Sequence, residues 1–172
     1  DSPSAQLLDY AHRASSLTHG HPRSQIACGL YCLMIAALLK GLPPLEAYAV
    51  SVDSGLKAYA SRPYLREISA FRKFMSGRIH ELAERDIASG GYVVDTLEAS
   101  TWCLLTSSSF EEAALKAVNL GGDTDTTGCV TGGLGGAYYG VSGIPDGWIN
   151  GLARKDDLKA LFKKCAQNWH EP

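Results

Sequence analysis

Apolar residues along this chain recur at spacings of three and four, and alternating β-branched runs are few. That is the pattern of amphipathic helices almost throughout. The spacing predicts helices over residues 4–17, 22–39, 44–60, 68–87 with a break near Gly77, 94–106, 110–119, 124–139, 145–153 and 155–169. Breakers mark the joints: Gly20 to Pro22, Gly41 to Pro44, Gly90-Gly91, the serines 107–109 before Phe110-Glu111-Glu112, and Gly140 to Pro145. Nothing repeats at a fixed period. The expected architecture is all-α, a compact single domain over residues 1–172 built from eight or nine packed, mostly non-parallel helices.

One stretch departs from ordinary helix patterning. Gly121-Gly122-Asp123-Thr124-Asp125-Thr126-Thr127-Gly128 places two carboxylates and several hydroxyls where a small-residue helix must begin. Hard oxygen donors of this kind suit Mg²⁺, Mn²⁺ or Ca²⁺. Asp and Thr are also favoured helix caps, but one cap uses one residue. Here four consecutive positions are polar and two glycines precede them, so the backbone can turn tightly while the carboxylates converge. Within the helix that follows, Gly128, Gly132, Gly136 and Gly140 recur every fourth residue and share a face. Each interior glycine costs up to about 1 kcal/mol relative to alanine, so close packing on that face and a central place for the helix are expected.

The GGDTDTTG run leading into the glycine-rich helix with Gly136-Ala137-Tyr138-Tyr139-Gly140 resembles the C-terminal metal motif of the ADP-ribosylglycohydrolase family, which includes the dinitrogenase-reductase-activating glycohydrolases. Leu17-Thr18-His19 is similar to the family's Thr-His segment, and Gly90-Gly91-Tyr92-Val93-Val94-Asp95-Thr96-Leu97-Glu98-Ala99 resembles its GY(V)xxTLEAA segment. Their order and spacing also agree, and the likeness runs over nearly the whole chain. Two family elements are missing: an acidic Thr-Asp-Asp-Thr type motif that supplies the other metal ligands, and a glycine-rich substrate loop. No Asp-Asp pair precedes Asp156-Asp157, which lies in a Lys-rich amphipathic stretch where a solvated face is expected. The chain therefore resembles the C-terminal half of the family fold: a fragment, a processed product, or one subunit working with a separate N-terminal half chain.

The resemblance implies hydrolysis of the glycosidic bond joining ADP-ribose to arginine, serine or a related acceptor on a protein. It implies a binuclear Mg²⁺ site, with Mn²⁺ a possible substitute, held from this half by Asp123, Asp125 and Thr126. His19, an ordinary capping or surface histidine on its own pattern, is implied to contact the diphosphate or distal ribose. Tyr92, otherwise a staple for the next helix, is implied to face the adenine; Gly122 admits close approach of the substrate. No catalytic general acid or base is identified, and Glu98 reads as structural. His12, His21, His80 and His170 carry no such signal, and the first two are expected to be exposed. The competing reading is a helical module that binds ADP-ribose, or only keeps the fold, without chemistry; a phosphatase using similar metal chemistry has weaker motif support.

Composition leaves this picture in place. The chain has 172 residues, 45% hydrophobic and 20% charged, with a formal net charge of −2, so it offers no electrostatic attraction for nucleic acid or acidic membranes. No apolar run is expected to span a bilayer, and the N-terminus lacks a basic region followed by an apolar core. Five cysteines, Cys28, Cys32, Cys103, Cys129 and Cys165, are an odd number spread over helices. They read as reduced residues of a cytoplasmic protein rather than a disulfide framework, and Cys28 and Cys32, which share a helix face, as core packing rather than a zinc site.

Overall fold

The computed structural model describes residues 3–168, and all of its regular structure there is helical. The α-helices are α1 (Pro3–Ser16), α2 (Pro22–Leu39), α3 (Pro44–Ala58), α4 (Arg72–Met75), α5 (Val93–Leu105), α6 (Phe110–Asn119), α7 (Thr124–Tyr139), α8 (Asp146–Gly151) and α9 (Lys155–Asn168). Trp169 and His170 lie outside the described residues. Several boundaries follow from local chemistry. His21 caps α2 by accepting from the Arg23 N–H, and Pro22 fills the first turn, where a missing donor costs nothing. Ser109 Oγ accepts from the Glu112 N–H, and Glu112 Oε2 returns the favour to the Ser108 N–H at 2.7 Å.

The centre belongs to α5, with Val94 and every residue from Thr96 to Leu104 buried. It packs on α2, α3, α6 and α7. This corrects the expectation for α7, which buries Thr127, Thr131, Leu134 and Gly135 and leaves its opposite side open. The glycine stripe is corrected with it: a Cβ on Gly132, Gly136 or Gly140 would meet nothing within 4 Å. Within the stripe only Gly128 is closely approached, by Val118; the other tight approaches fall off it, Gly133 beneath the Tyr31 hydroxyl and Gly135 beside the Phe110 ring.

By length and composition α2 is apolar enough to cross a bilayer, contrary to the sequence expectation. Here it is a core helix: Ile26, Leu30, Leu33, Met34 and Leu38 are buried, and it packs on α1 and α3. The expected helix over 68–87 is not continuous. It is a chain of 3₁₀ turns around the short α4. Ser76 Oγ donates to the Lys73 carbonyl and accepts from the Arg78 N–H, and Gly77 takes φ +72°, so the chain turns away there. Phe71, Phe74 and Ile79 are still fully buried, each burial worth about 1.5–3 kcal/mol, and tertiary packing rather than helix periodicity places them. Among the cysteines, Cys103 is buried, Cys28 and Cys32, expected in the core, are half-buried, and Cys129 and Cys165 are exposed.

His12, expected to be exposed, joins α1 to the segment after α3. Its Nε2 lies 3.0 Å from Tyr59 Oη and its Nδ1 3.1 Å from Tyr64 Oη. Tyr64 donates its own proton to Gln25 Oε1, so it can only accept from the imidazole. The network thus assigns the proton to Nδ1 and leaves Nε2 to accept from Tyr59. Burial holds the His12 pKa below its ordinary value of 6.5, opposed by the nearby Asp9. With the folded value depressed, the unfolded chain binds more protons, so the stability from neutral His12 is complete above 6.5 and is lost as pH falls below it. Urea midpoints measured from about pH 7 down to about pH 5 are expected to fall more for the wild type than for His12→Gln; parallel curves would show that this network does not sense protons.

Candidate functional site

The segments that open α7, α5 and α2 are linked to one another by hydrogen bonds. The GGDTDTTG run forms the entry to α7: Gly121 and Gly122 take φ +79° and +66°, and Asp123 is the N-cap. Thr126 N–H is shared between Asp125 Oδ1 at 2.9 Å and Asp123 Oδ1 at 3.4 Å. Asp125 and Thr126 are exposed and Asp123 is half-buried. The Asp123 carboxyl is held below the usual aspartate range, first by its hydrogen bond with the Asp125 carboxyl and then by Thr126. Two carboxyls in such contact cannot both carry full charge without repulsion, and a shared proton or a cation between them removes it.

The loop before α5 clamps this motif. Asp123 N–H donates to the Ser89 carbonyl at 2.9 Å, and Ser89 Oγ donates to the Leu120 carbonyl at the end of α6. A Cβ on Gly122 would overlap that Ser89 carbonyl, and one on Gly91 would overlap the Asp123 carboxylate. The two glycine pairs, far apart in sequence, are therefore two halves of one joint. Gly122 serves this backbone contact; its expected role in admitting substrate finds no separate support here.

Tyr92 is the N-cap residue of α5 and is 45% exposed. Its hydroxyl accepts from Arg23 Nη1 at 2.9 Å, while Arg23 Nε donates to Glu67. That link brings the start of α2 to the Tyr92 loop. Tyr92 also lines a cleft of about 250 Å³, together with Arg72, Lys73, Asp95 and Glu98. His19 is exposed in the turn before α2, its Nδ1 bonded to Thr18 Oγ1 at 2.9 Å, and it is not bonded to Tyr92 or to the carboxylates. Ser89 and Arg23 were missed by sequence reasoning. Ser89 has no pattern that marks it; Arg23, in the first turn of a helix beside the Thr-His segment, could have been singled out as the nearest fixed cation.

The donor chemistry at Asp123, Asp125 and Thr126 fits a hard divalent ion, with Gly91 leaving the space one carboxylate occupies. It fits only in part: among the described residues no third His, Cys, Asp or Glu joins the pair. Asp156 and Asp157 are exposed at the far end of the chain, Asp157 paired with Arg154.

The site thus sets clamped paired carboxylates beside a cleft that Tyr92 lines, in an all-helical domain. The ADP-ribosylglycohydrolase family model matches residues 1–172, and the chain belongs to that family. It is 35% identical over 150 residues to the ADP-ribosylarginine hydrolase Tri1 of Pseudomonas putida (strain GB-1), covering 87% of this chain and 37% of that protein. It is 32% identical over 151 residues to the ADP-ribosyl-[dinitrogen reductase] glycohydrolase of Rhodospirillum rubrum, covering 88% and 45%. A solved ADP-ribosylglycohydrolase-related protein complex superposes with a TM-score of 0.75 at 33% identity, covering 90% of this chain and 50% of that one. The chain thus spans less than half the length of these curated relatives.

Proposed function

We propose that this chain supplies one wall of the active site of an ADP-ribosyl hydrolase, cleaving the glycosidic bond between ADP-ribose and a protein side chain such as arginine or serine. The observation that carries this is the joint between Gly91, Ser89 and Asp123, which ties the carboxylate pair to the Tyr92 cleft as one rigid surface. Bound at Asp123, Asp125 and Thr126, a pair of Mg²⁺ ions, or Mn²⁺ in their place, would supply positive charge that orients ribose hydroxyls and polarises water. The chain's own residues bind and orient. The exposed face of Tyr92 offers a stacking surface for adenine, with Arg23 holding the ring still.

Two carboxylates and a hydroxyl are too few for two hexacoordinate ions. The remaining ligands and the general acid would come from polypeptide of the kind that makes up the rest of the longer relatives, on the same chain or as a separate N-terminal half. The free cysteines, two of them exposed, suit the reducing conditions of the cytoplasm.

The test is release of ADP-ribose from ADP-ribosyl-arginine and ADP-ribosyl-serine peptides by this chain, alone and with the N-terminal half of a relative. Mg²⁺-dependent release that requires both parts is expected. Phosphate release in place of ADP-ribose, or tight ADP-ribose binding with no turnover in the completed assembly, would sink the hydrolase. In the same assembly Tyr92→Ala is expected to weaken ADP-ribose binding about tenfold, the loss of a base stack of about 1–3 kcal/mol, while Tyr92→Phe stays within about threefold; calorimetric titration that finds the two variants equal would remove the stacking role.

A further inference from the structure

Glu98 is an acid where an apolar residue would be expected. It lies in the buried run of α5, is 5% exposed, and forms no ion pair among the described residues. Burial without a partner is costly for a carboxyl, so its contacts need explaining. Its Oε1 accepts from the Phe74 N–H at 3.4 Å. Phe74 is in α4, a helix of four residues whose N–H groups have no partners within so short a helix. The Phe74 carbonyl is met by the Tyr48 hydroxyl, and the Phe74 ring is fully buried edge-on to Tyr48 with centroids 5.0 Å apart. Lys73 Nζ is tied to the Asp86 carbonyl at 2.8 Å. The Phe74 backbone is thus held from other helices by side chains, and the contact from α5 is Glu98.

Glu98 also lines the cleft that α4 borders. Arg72 and Lys73 of α4 line it together with Tyr92, Asp95 and Glu98 of the α5 side. We propose that Glu98 is a positioning residue for this cleft: by accepting the Phe74 N–H it holds the α4 wall at a fixed distance from Tyr92. The proposal rests on the reading that the cleft takes part of ADP-ribose. What it requires of Glu98 is an acceptor oxygen, so glutamine can replace it and alanine cannot.

The test uses the whole chain as wild type, Glu98→Gln and Glu98→Ala. Amide hydrogen exchange is followed over residues 69–76, with residues 110–119 of α6 as an internal reference, and ADP-ribose affinity is measured on the same samples. In Glu98→Ala, exchange over 69–76 is expected to speed up about tenfold with α6 unchanged, as expected for loss of one buried hydrogen bond, and ADP-ribose to bind about tenfold more weakly. Glu98→Gln should stay within about threefold of wild type in both. Equal acceleration in both segments, wild-type behaviour of Glu98→Ala, or a Glu98→Gln as impaired as Glu98→Ala would each overturn the positioning role. Wild type that keeps the Phe74 protection but binds no ADP-ribose would overturn the reading of the cleft itself, a distinct failure.

Discussion

Asp125→Ala is expected to abolish divalent-ion-dependent release of ADP-ribose in the competent assembly, a loss on the order of a thousandfold or about 4 kcal/mol of transition-state stabilisation. Asp125 is exposed, and its hydrogen bonds are confined to the Thr126 N–H and the Asp123 carboxyl. Its removal should therefore leave folding stability within about 1 kcal/mol. The separation of a large activity loss from a small stability loss is what a ligand predicts and a helix cap does not. Asp125→Asn sharpens the test, because it keeps the shape and removes the charge. Steady-state rates across a Mg²⁺ titration check both variants. Near wild-type turnover in either would remove Asp125 from the ligand set.

Gly122→Ala is expected to cost about 2–4 kcal/mol in urea unfolding. Two effects add. The residue sits at φ +66°, where a side chain costs about 1–2 kcal/mol, and the new Cβ would overlap the Ser89 carbonyl, which is backbone and cannot swing aside. Relief of that overlap must break the Asp123 N–H to Ser89 bond, so the carboxylate pair loses its seat along with the stability. Two neighbours serve as controls. Gly121→Ala, also at positive φ but with open space, should lose only the conformational part. Gly132→Ala, inside α7 and facing nothing within 4 Å, should be neutral or stabilising by up to about 1 kcal/mol in this chain. If Gly122→Ala behaves like Gly121→Ala, the joint between the two loops is not what holds the motif.

These residues also show where sequence reasoning reached and where it stopped. The helices with caps and breakers were legible, because Pro22, Ser109 and Asp123 act within a turn of their own position. The carboxylate pair was legible for the same reason. The 68–87 segment was not, since Phe71, Phe74 and Ile79 fit a helical period whether one helix or several turns bury them. What decides between those is Glu98 and Tyr48 satisfying the Phe74 backbone from other helices, which no local window contains. The glycine stripe of α7 was legible as a stripe but not as a contact: a repeat of four says which residues share a face, and only tertiary structure says that Tyr31 and Phe110 approach Gly133 and Gly135 instead. His12 failed similarly, as its partners Tyr59 and Tyr64 lie across a helix hairpin. His19 was placed by resemblance alone, and here its ring bonds to Thr18 and not to the carboxylates.

The central claim is that the α7 entry and the Tyr92 loop form one ligand surface. The most direct measurement is amide NMR of the isotopically labelled chain titrated with Mg²⁺, then with ADP-ribose, and again with ADP-ribose in the presence of EDTA. Mg²⁺ alone should shift amides at residues 121–127, and ADP-ribose should then shift residues 89–95 together with 121–127, with the second response weakened by EDTA. Shifts confined to one of these segments, or lying elsewhere on the molecule, would contradict the claim.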